Sequence, residues 1–269
     1  MTSPLISVII PVFNAQDVLP AAMDSVFKQN IPDMEIILVN DGSQDGSLRV
    51  CESYAQSEPC VRIINQKNGG PSSARNAGLK LARGRFLSFV DSDDTLVPGA
   101  YARMLDAVQA SDAQMAIAHF NFIRGSKAID RGLIQDDVVL SKDAFMRALA
   151  QRPGSSFYSV VWNKLYSSEL VGGNGIFFDT ACKWGEDFHF NLHCYRYINR
   201  VAFVKQSVYN YQRTFSGQAW RTVLRRPYHI LAVKARNYRT LKGLYLHTGH
   251  YRQYRAQITR YIFDIIVSK

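Results

Sequence analysis

RFLSFVDSDD, residues 85–94, reads as a short buried strand that runs straight into three carboxylates within four residues. Asp91, Asp93 and Asp94 repel one another unless a cation or hydrogen-bond donors compensate. Hard divalent cations prefer carboxylate and shared phosphate oxygens, so an aspartate pair flanking the small Ser92 can hold a metal that bridges a diphosphate. The plain alternative is a turn in which the aspartates cap the next helix. The run alone leaves both open.

The chain before this run alternates strands and helices. Residues 5–13 (LISVIIPVF) are apolar on both faces, as in a strand buried in a parallel sheet, with Pro11 marking its exit. Residues 15–29 place Val18, Leu19, Ala22, Val26 and Phe27 at helical spacing. Residues 35–39 form a second strand, ending at the turn Asn40-Asp41-Gly42-Ser43, and residues 47–55 a second helix. A short strand at 61–64 precedes the loop Asn68-Gly69-Gly70-Pro71, after which Ser72 or Ser73 can cap a helix over 74–82. This alternation predicts an α/β, doubly wound, mainly parallel sheet, in which ligands gather at the carboxyl ends of strands. Four strand ends therefore carry the functional expectation: residues 11–14, 40–43, 67–71 and 91–94.

Beyond residue 100 the spacing predicts helices over 101–110 and 142–150, strands over 113–123 and 133–140, and an aromatic, less regular second half. From about Arg221 the chain reads as helix. Neither GxGxxG after the first strand nor GxxxxGK[ST] is present, which removes dinucleotide and P-loop readings.

Other residues invite chemistry and also have plain readings. Asp41 is either an acceptor for the ring N–H of a pyrimidine base or part of an Asp-Gly turn. Arg75, on the first turn of a helix after a glycine-rich loop, suits anion or base contact, or is an exposed helix arginine. In Trp184-Gly185-Glu186-Asp187-Phe188, flanking aromatics can desolvate a carboxylate toward a general-base pKa, or the acids begin a helix. His189 and His193 lack the HExxH order of a zinc site.

Composition is that of an ordinary globular protein, with 47% hydrophobic and 20% charged residues. The net charge of +10 is uneven: residues 1–200 hold 19 Lys/Arg against 21 Asp/Glu, whereas residues 201–269 hold 13 against Asp264 alone. The basic segment is either a solvated helical face packed beside the main domain or an attachment to anionic lipid or a lipid-linked acceptor. No nucleic-acid recognition motif accompanies it, so nucleic acid is not an expected partner. The first apolar stretch is too short for a bilayer, which needs about 20 residues, and lacks signal-peptide flanks. Four cysteines without metal spacing read as reduced thiols. The expectation is a cytoplasmic protein, peripheral to the inner membrane face if the basic segment binds lipid.

Taken in order, SVIIPVFNA (7–15), EIILVNDGSQDGS (35–47), NGGPSSARNAGLKLARGRFLSFVDSDD (68–94), VWNKLYSSEL (161–170), WGEDFHF (184–190) and VYNYQR (208–213) resemble glycosyltransferase family 2. Each motif is weak alone, and the ordered set is specific. The resemblance implies a GT-A fold over residues 1–220, with a nucleotide-binding half (1–100) and an acceptor-side half (101–220), followed by a basic helical extension over 221–269. It implies an inverting transferase that moves a hexosyl or N-acetylhexosaminyl group from a nucleotide-diphosphate donor, a UDP-sugar, to a glycan or lipid-linked hydroxyl, as in bacterial surface polysaccharide synthesis. Donor contacts would come from Pro11, Val12, Phe13, Asn14, Asp41, Asn68, Gly69, Arg75, Asp91 and Ser92, with Asp41 and Arg75 on the nucleobase and Asp91 near the ribose. Asp93 would bind Mn²⁺ or Mg²⁺, Asp94 would support the turn, and Asp187 would be the general base, with Glu186, Asn163 and Lys164 in support. Asn40 stands where the family often has Asp. Gln212 precedes Arg213 where the family often has arginine directly after Tyr-x-Tyr, which weakens a diphosphate role for Arg213. Two rival classes are a metal-dependent sugar nucleotidyltransferase, whose GxGxR-type loop is missing here, and a non-catalytic carbohydrate-binding module.

Overall fold

The computed structural model describes residues 3–182, 184–212 and 227–263. Its first half follows the alternation in the sequence: β1 (Ile6–Val12), α1 (Leu19–Phe27), β2 (Met34–Asp41), α2 (Ser47–Ser57), β3 (Val61–Gln66), α3 (Pro71–Leu81) and β4 (Phe86–Phe89). A short β5 (Thr95–Leu96) and α4 (Ala100–Ser111) lead to β6 (Met115–Arg124), β7 (Lys127–Arg131), β8 (Val138–Ser141) and α5 (Lys142–Gln151). Then come α6 (Ser156–Ser159), β9 (Lys164–Ser167), α7 (Ser168–Val171), α8 (Glu186–Tyr197) and β10 (Arg200–Gln212). The helices α9 (Pro227–His247) and α10 (Tyr251–Phe263) close the described chain.

One ten-stranded sheet runs in the order β3-β2-β1-β4-β9-β6-β10-β5, with β7 on β6 and β8 on β10. The β3-β2-β1-β4 quartet is parallel, and β6 and β10 are parallel to each other. Between these two blocks β9 is antiparallel to both neighbours. Alternate residues of each strand face opposite sides. Val8, Ile10, Ile36 and Leu38 pack with α1, α2 and α4 on one face, while Ile9, Ile37, Val39 and Phe89 join a larger core with α5, α8, α9 and α10 on the other.

Several local expectations need correction. Pro11 does not end the first strand: it pairs with Val39 inside β1. Ile9 O accepts from Val90 N, so Pro11, of the same parity, points past the end of β4 where no N–H is required. The helix expected from residue 15 starts at Leu19 with Pro at its first turn. Neither Ser72 nor Ser73 caps the third helix, because Gly70 holds the N-cap position and Pro71 lies within the first turn. Of the strand expected over 133–140 only the end forms, as β8 from Val138, while β7 lies before it and pairs with β6.

Phe89 lies two residues before the acidic run and organises the core beneath it. Its ring meets Tyr166, Phe178 and Phe190 edge-on at centroid distances of 5.8, 5.3 and 5.7 Å, and Phe178 stacks on Phe190 at 4.1 Å. Phe89→Ala is expected to lower unfolding free energy by about 3–5 kcal/mol in urea titrations.

Candidate active site

The carboxyl ends of β1, β2 and β3 lie side by side as the topology requires, and hydrogen bonds tie their loops together. Asn14 N donates to Ser43 Oγ at 3.0 Å, and Gln44 N donates to Asn14 Oδ1 at 2.8 Å. Asp41, buried at the end of β2, accepts from Gln66 Nε2 (2.7 Å), Gly69 N (2.9 Å) and Gly70 N (2.8 Å). Gly42, at φ +71°, leaves room for the loop: a Cβ there would stand 2.7 Å from Asn68 N. Phe13, Asn68 and Gly69 remain exposed beside this frame. The expected donor-side residues Pro11, Val12, Phe13, Asn14, Asp41, Asn68 and Gly69 thus belong to linked strand ends.

The acidic run is divided by its surroundings. Asp94 is buried, accepts from Gln212 N at 2.6 Å and Tyr209 Oη at 3.0 Å, and closes a turn through Asp94 N to Asp91 O. Burial, then the nearby Asp91 charge, pushes its carboxyl up to about 8. Asp94 supports the turn, while Asp93 and Ser92 lie toward solvent. The surrounding protein and then the Asp91 charge also raise Asp93 above the usual carboxylate range.

Arg75 is where the structure adds most to the sequence. It is the fifth residue of α3, beyond the first turn, and its side chain is 5% exposed. Its Nη2 lies 2.8 Å from Asp91 Oδ1, and its Nη1 lies 3.0 Å from Asp187 Oδ1 and 3.7 Å from Glu186 Oε1. The guanidinium also sits 5.4 Å from the Phe178 ring centroid. Burial pulls its pKa down, but Asp187, Asp91 and Glu186 outweigh that and hold it above its ordinary value. The resemblance implies a nucleobase contact for Arg75. In the structure the guanidinium is paired with carboxylates 16 and 112 residues away.

Asp187 and Glu186 open α8, so their charge meets the positive end of that helix. Asp187 is 21% exposed. Burial raises its pKa to about 7; Glu186 and Asp91 add to the rise, while Arg75 and Lys164 oppose it. Of the flanking aromatics, Phe188 is buried and Trp184 is 47% exposed. Asn163 and Lys164 are fully buried. Lys164 Nζ donates to Phe157 O at 3.1 Å and Asn163 Oδ1 at 2.8 Å, and Asn163 Nδ2 donates to Ala118 O at 2.9 Å. Both brace the backbone beneath α8, and burial holds Lys164 well below its ordinary pKa. His189 and His193 stand edge to face at 4.7 Å. Arg213 lies outside the described residues.

A sequence model described as glycosyl transferase family 2 matches residues 7–205. The chain belongs to glycosyltransferase family 2. Among its relatives, the uncharacterized glycosyltransferase EpsJ of Bacillus subtilis is 35% identical over 214 residues, covering 78% of this chain and 61% of EpsJ. The chain spans about three fifths of the length of the first curated relatives it matches. Staphylococcus aureus TarS 1–349 superposes with a TM-score of 0.76 at 22% identity, covering 97% of this chain and 72% of that one. TarS 1–349 is also known in complex with UDP. The mannosyltransferase PcManGT of Pyrobaculum calidifontis, solved with GDP-Man and Mn²⁺, gives 0.64 at 17% identity, covering 100% of this chain and 76% of that one. These likenesses establish the GT-A fold, an α/β sheet with C-terminal helices.

Tyr209 is a residue beside the acidic turn whose task is not legible in the sequence. Its hydroxyl accepts from Asp91 N at 3.0 Å and donates to Asp94, fastening β10 to the acidic turn. The Tyr-x-Tyr pair in VYNYQR was the available signal, but nothing local shows what a tyrosine so distant in sequence touches. Cys51, Cys60, Cys182 and Cys194 are all free thiols.

The donor set suits a hard divalent cation shared with phosphate oxygens. Asp91 has one oxygen on Arg75 and Asp93 is exposed, so few protein ligands are available. Mg²⁺-type sites commonly use one or two carboxylates and complete their shell with substrate oxygens and water. Among the described residues no three His, Cys, Asp or Glu side chains form a closed cage. Replacing Arg75 by Met strips three carboxylates of their shared counter-charge. Because those partners are partly exposed, the expected loss is about 2–4 kcal/mol in urea unfolding at pH 8.

Proposed function

We propose that this chain is an inverting glycosyltransferase that moves a sugar from a UDP-sugar to a hydroxyl of a glycan or lipid-linked acceptor in bacterial surface polysaccharide synthesis. The observation that carries the reading is the Asp187–Arg75–Asp91 bridge, which joins a partly buried carboxylate to the acidic strand end of a family-2 fold. The UDP complex of TarS supports the choice of donor. Residues 1–220 would form the catalytic domain, with its donor half over 1–100, and 221–269 a basic helical extension.

The chemistry assigns each group one task. The acceptor O–H proton passes to Asp187 as that oxygen bonds to the anomeric carbon, and the bond from that carbon to the diphosphate oxygen breaks. One displacement of this kind inverts the anomeric configuration. A carboxylate with a pKa near 7 suits proton abstraction at neutral pH. Arg75 holds Asp187 in place and lies between it and Asp91. Asp93, with Asp91 nearby, would hold Mn²⁺ or Mg²⁺, which neutralises charge on the departing nucleoside diphosphate. Asp41, Arg75 and residues 11–14, 68 and 69 would line the nucleoside, with Asp91 near the ribose and Ser92 beside it.

The C-terminal helices add a surface to this reading. Lys234, Arg236, Arg239, Lys242, Arg252, Arg255 and Arg260 lie within α9 and α10, which hold no Asp or Glu. Arg252, Arg255 and Arg260 are exposed, and the proposed partner is an anionic lipid surface. No helix among the described residues is long and apolar enough to cross a membrane.

Asp187→Asn and Asp93→Ala are each expected to lower UDP release at least a thousandfold with a verified donor and acceptor, and Asp93→Ala also to weaken metal-dependent UDP binding. Near-normal turnover by either variant would sink the mechanism. A base of raised pKa works only when deprotonated, so kcat/KM should fall about tenfold per pH unit below about 7. A flat profile from pH 5 to 8 would contradict that assignment. In liposome flotation, replacing Arg252, Arg255 and Arg260 by Glu should abolish binding to anionic vesicles; equal binding by both proteins would remove the membrane surface.

A further inference from the structure

The C-terminal helices lie beyond the matched family region, yet they reach the turn that presents Asp187. Helix α8 starts at Gly185, in the left-handed region at φ +72° and without a side-chain cap. The space a Cβ would need there is taken by α9: Asn237 Nδ2 would stand at 2.9 Å and Val233 Cγ1 at 3.2 Å. Asn237 is 3% exposed, and its Nδ2 donates to Gly185 O at 3.5 Å. One residue earlier, Arg236 Nη1 pairs with Asp179 Oδ2 at 2.9 Å, holding the other end of the connection that leads to Gly185. Asp179 follows Phe178, whose backbone is fixed to α3 by two 2.8 Å hydrogen bonds with the Asn76 side chain.

The second C-terminal helix continues the contact. Tyr261 of α10 lies 5.7 Å from the Phe188 ring, one residue after Asp187. Lys234 Nζ sits 5.0 Å from the Tyr261 centroid. At the far end of α8, Arg196 Nη2 is 3.2 Å from His247 Nδ1, so α9 runs beside α8 in the same direction over most of its length. The base-bearing turn is therefore held between α3 on one side and α9 with α10 on the other.

We propose that Asn237 and Arg236 are positioning residues for Asp187: through Gly185 and Asp179 they hold the start of α8 where the carboxylate meets Arg75. The inference rests on the reading of Asp187 as the base. A single long hydrogen bond adds little by itself. Contacts at Asp179, Gly185 and Phe188, all made by α9 or α10, restrict where α8 can begin. Groups that must hold a proton acceptor against a substrate oxygen tolerate displacements well below an ångström. The helical extension is thus part of the catalytic apparatus as well as a surface.

The test uses the full chain carrying Asn237→Ala, Arg236→Gln or Arg236→Lys. Hydrogen exchange is measured on the free protein, and UDP release with whichever UDP-sugar the unsubstituted chain turns over fastest. Amides of residues 185–189 should exchange at least tenfold faster in Asn237→Ala and Arg236→Gln, with those of β1 and β4 unchanged. In the same variants kcat should fall at least tenfold while donor KM stays within threefold, and Arg236→Lys should recover most of the loss. Unchanged exchange at 185–189, or faster exchange with kcat retained, overturns the proposal. If Asn237→Ala fails to fold, Asn237→Ser and Asp179→Asn carry the same readouts. An Asp187→Asn control separates the two ideas. Turnover retained in that variant removes the base assignment, whereas an inactive control beside a normal Arg236→Gln enzyme removes only the positioning role.

Discussion

The buried guanidinium of Arg75 is the interaction on which the site depends. It takes a carboxylate from the end of β4 and two from the start of α8, and so joins the donor-side sheet to the half of the molecule that follows. A cation with 5% of its side chain exposed is costly unless paired, and pairing with three acids more than compensates. One positive charge cannot neutralise Asp91, Glu186 and Asp187 together, with Asp93 and Asp94 close by. The surplus negative potential is what a divalent cation and its diphosphate would complete. The same surplus, with burial, keeps Asp187 and Asp94 above the usual carboxylate range.

Position in the fold then divides the work among like residues. Asp94 spends its oxygens on Tyr209 and Gln212 and shapes the turn, while Asp93, one residue away, stays open to solvent. Asp41 spends its own on the backbone of residues 69 and 70, so the β2 end and the glycine loop move as one piece. Such internal bonding fixes the β2 end against the glycine loop.

Much of this was legible in the sequence because its signals are local. Apolar runs such as residues 35–39, bounded by turn residues, place β1 to β4 within a residue or two, and strand-end chemistry follows from topology. What escaped depends on partners far along the chain. Arg75 is ambiguous until α8 is folded against α3, and the Tyr209 hydroxyl has no meaning until β10 lies beside the acidic turn. Ser72 and Ser73 look like caps by composition, yet with Gly70 as the N-cap the helix starts at Pro71, three residues before the expected 74. The basic extension reads in sequence either as a solvated helical face packed beside the main domain or as an attachment to anionic lipid, and its packing is what the structure shows. Leu241, Tyr245, Ile258 and Tyr261 enter the same core as Phe89, while Arg252 and Arg255 face outward.

The central claim is that Asp187 is a proton acceptor whose affinity is set by burial against its salt link to Arg75. Carboxyl ¹³C NMR titration, with the Asp187 signal assigned by its loss in Asp187→Asn, tests it directly. The account predicts a midpoint near 7 in the unsubstituted chain and a higher one in Arg75→Met, where the opposing charge is gone. A midpoint near 4, unmoved by loss of Arg75, would contradict it.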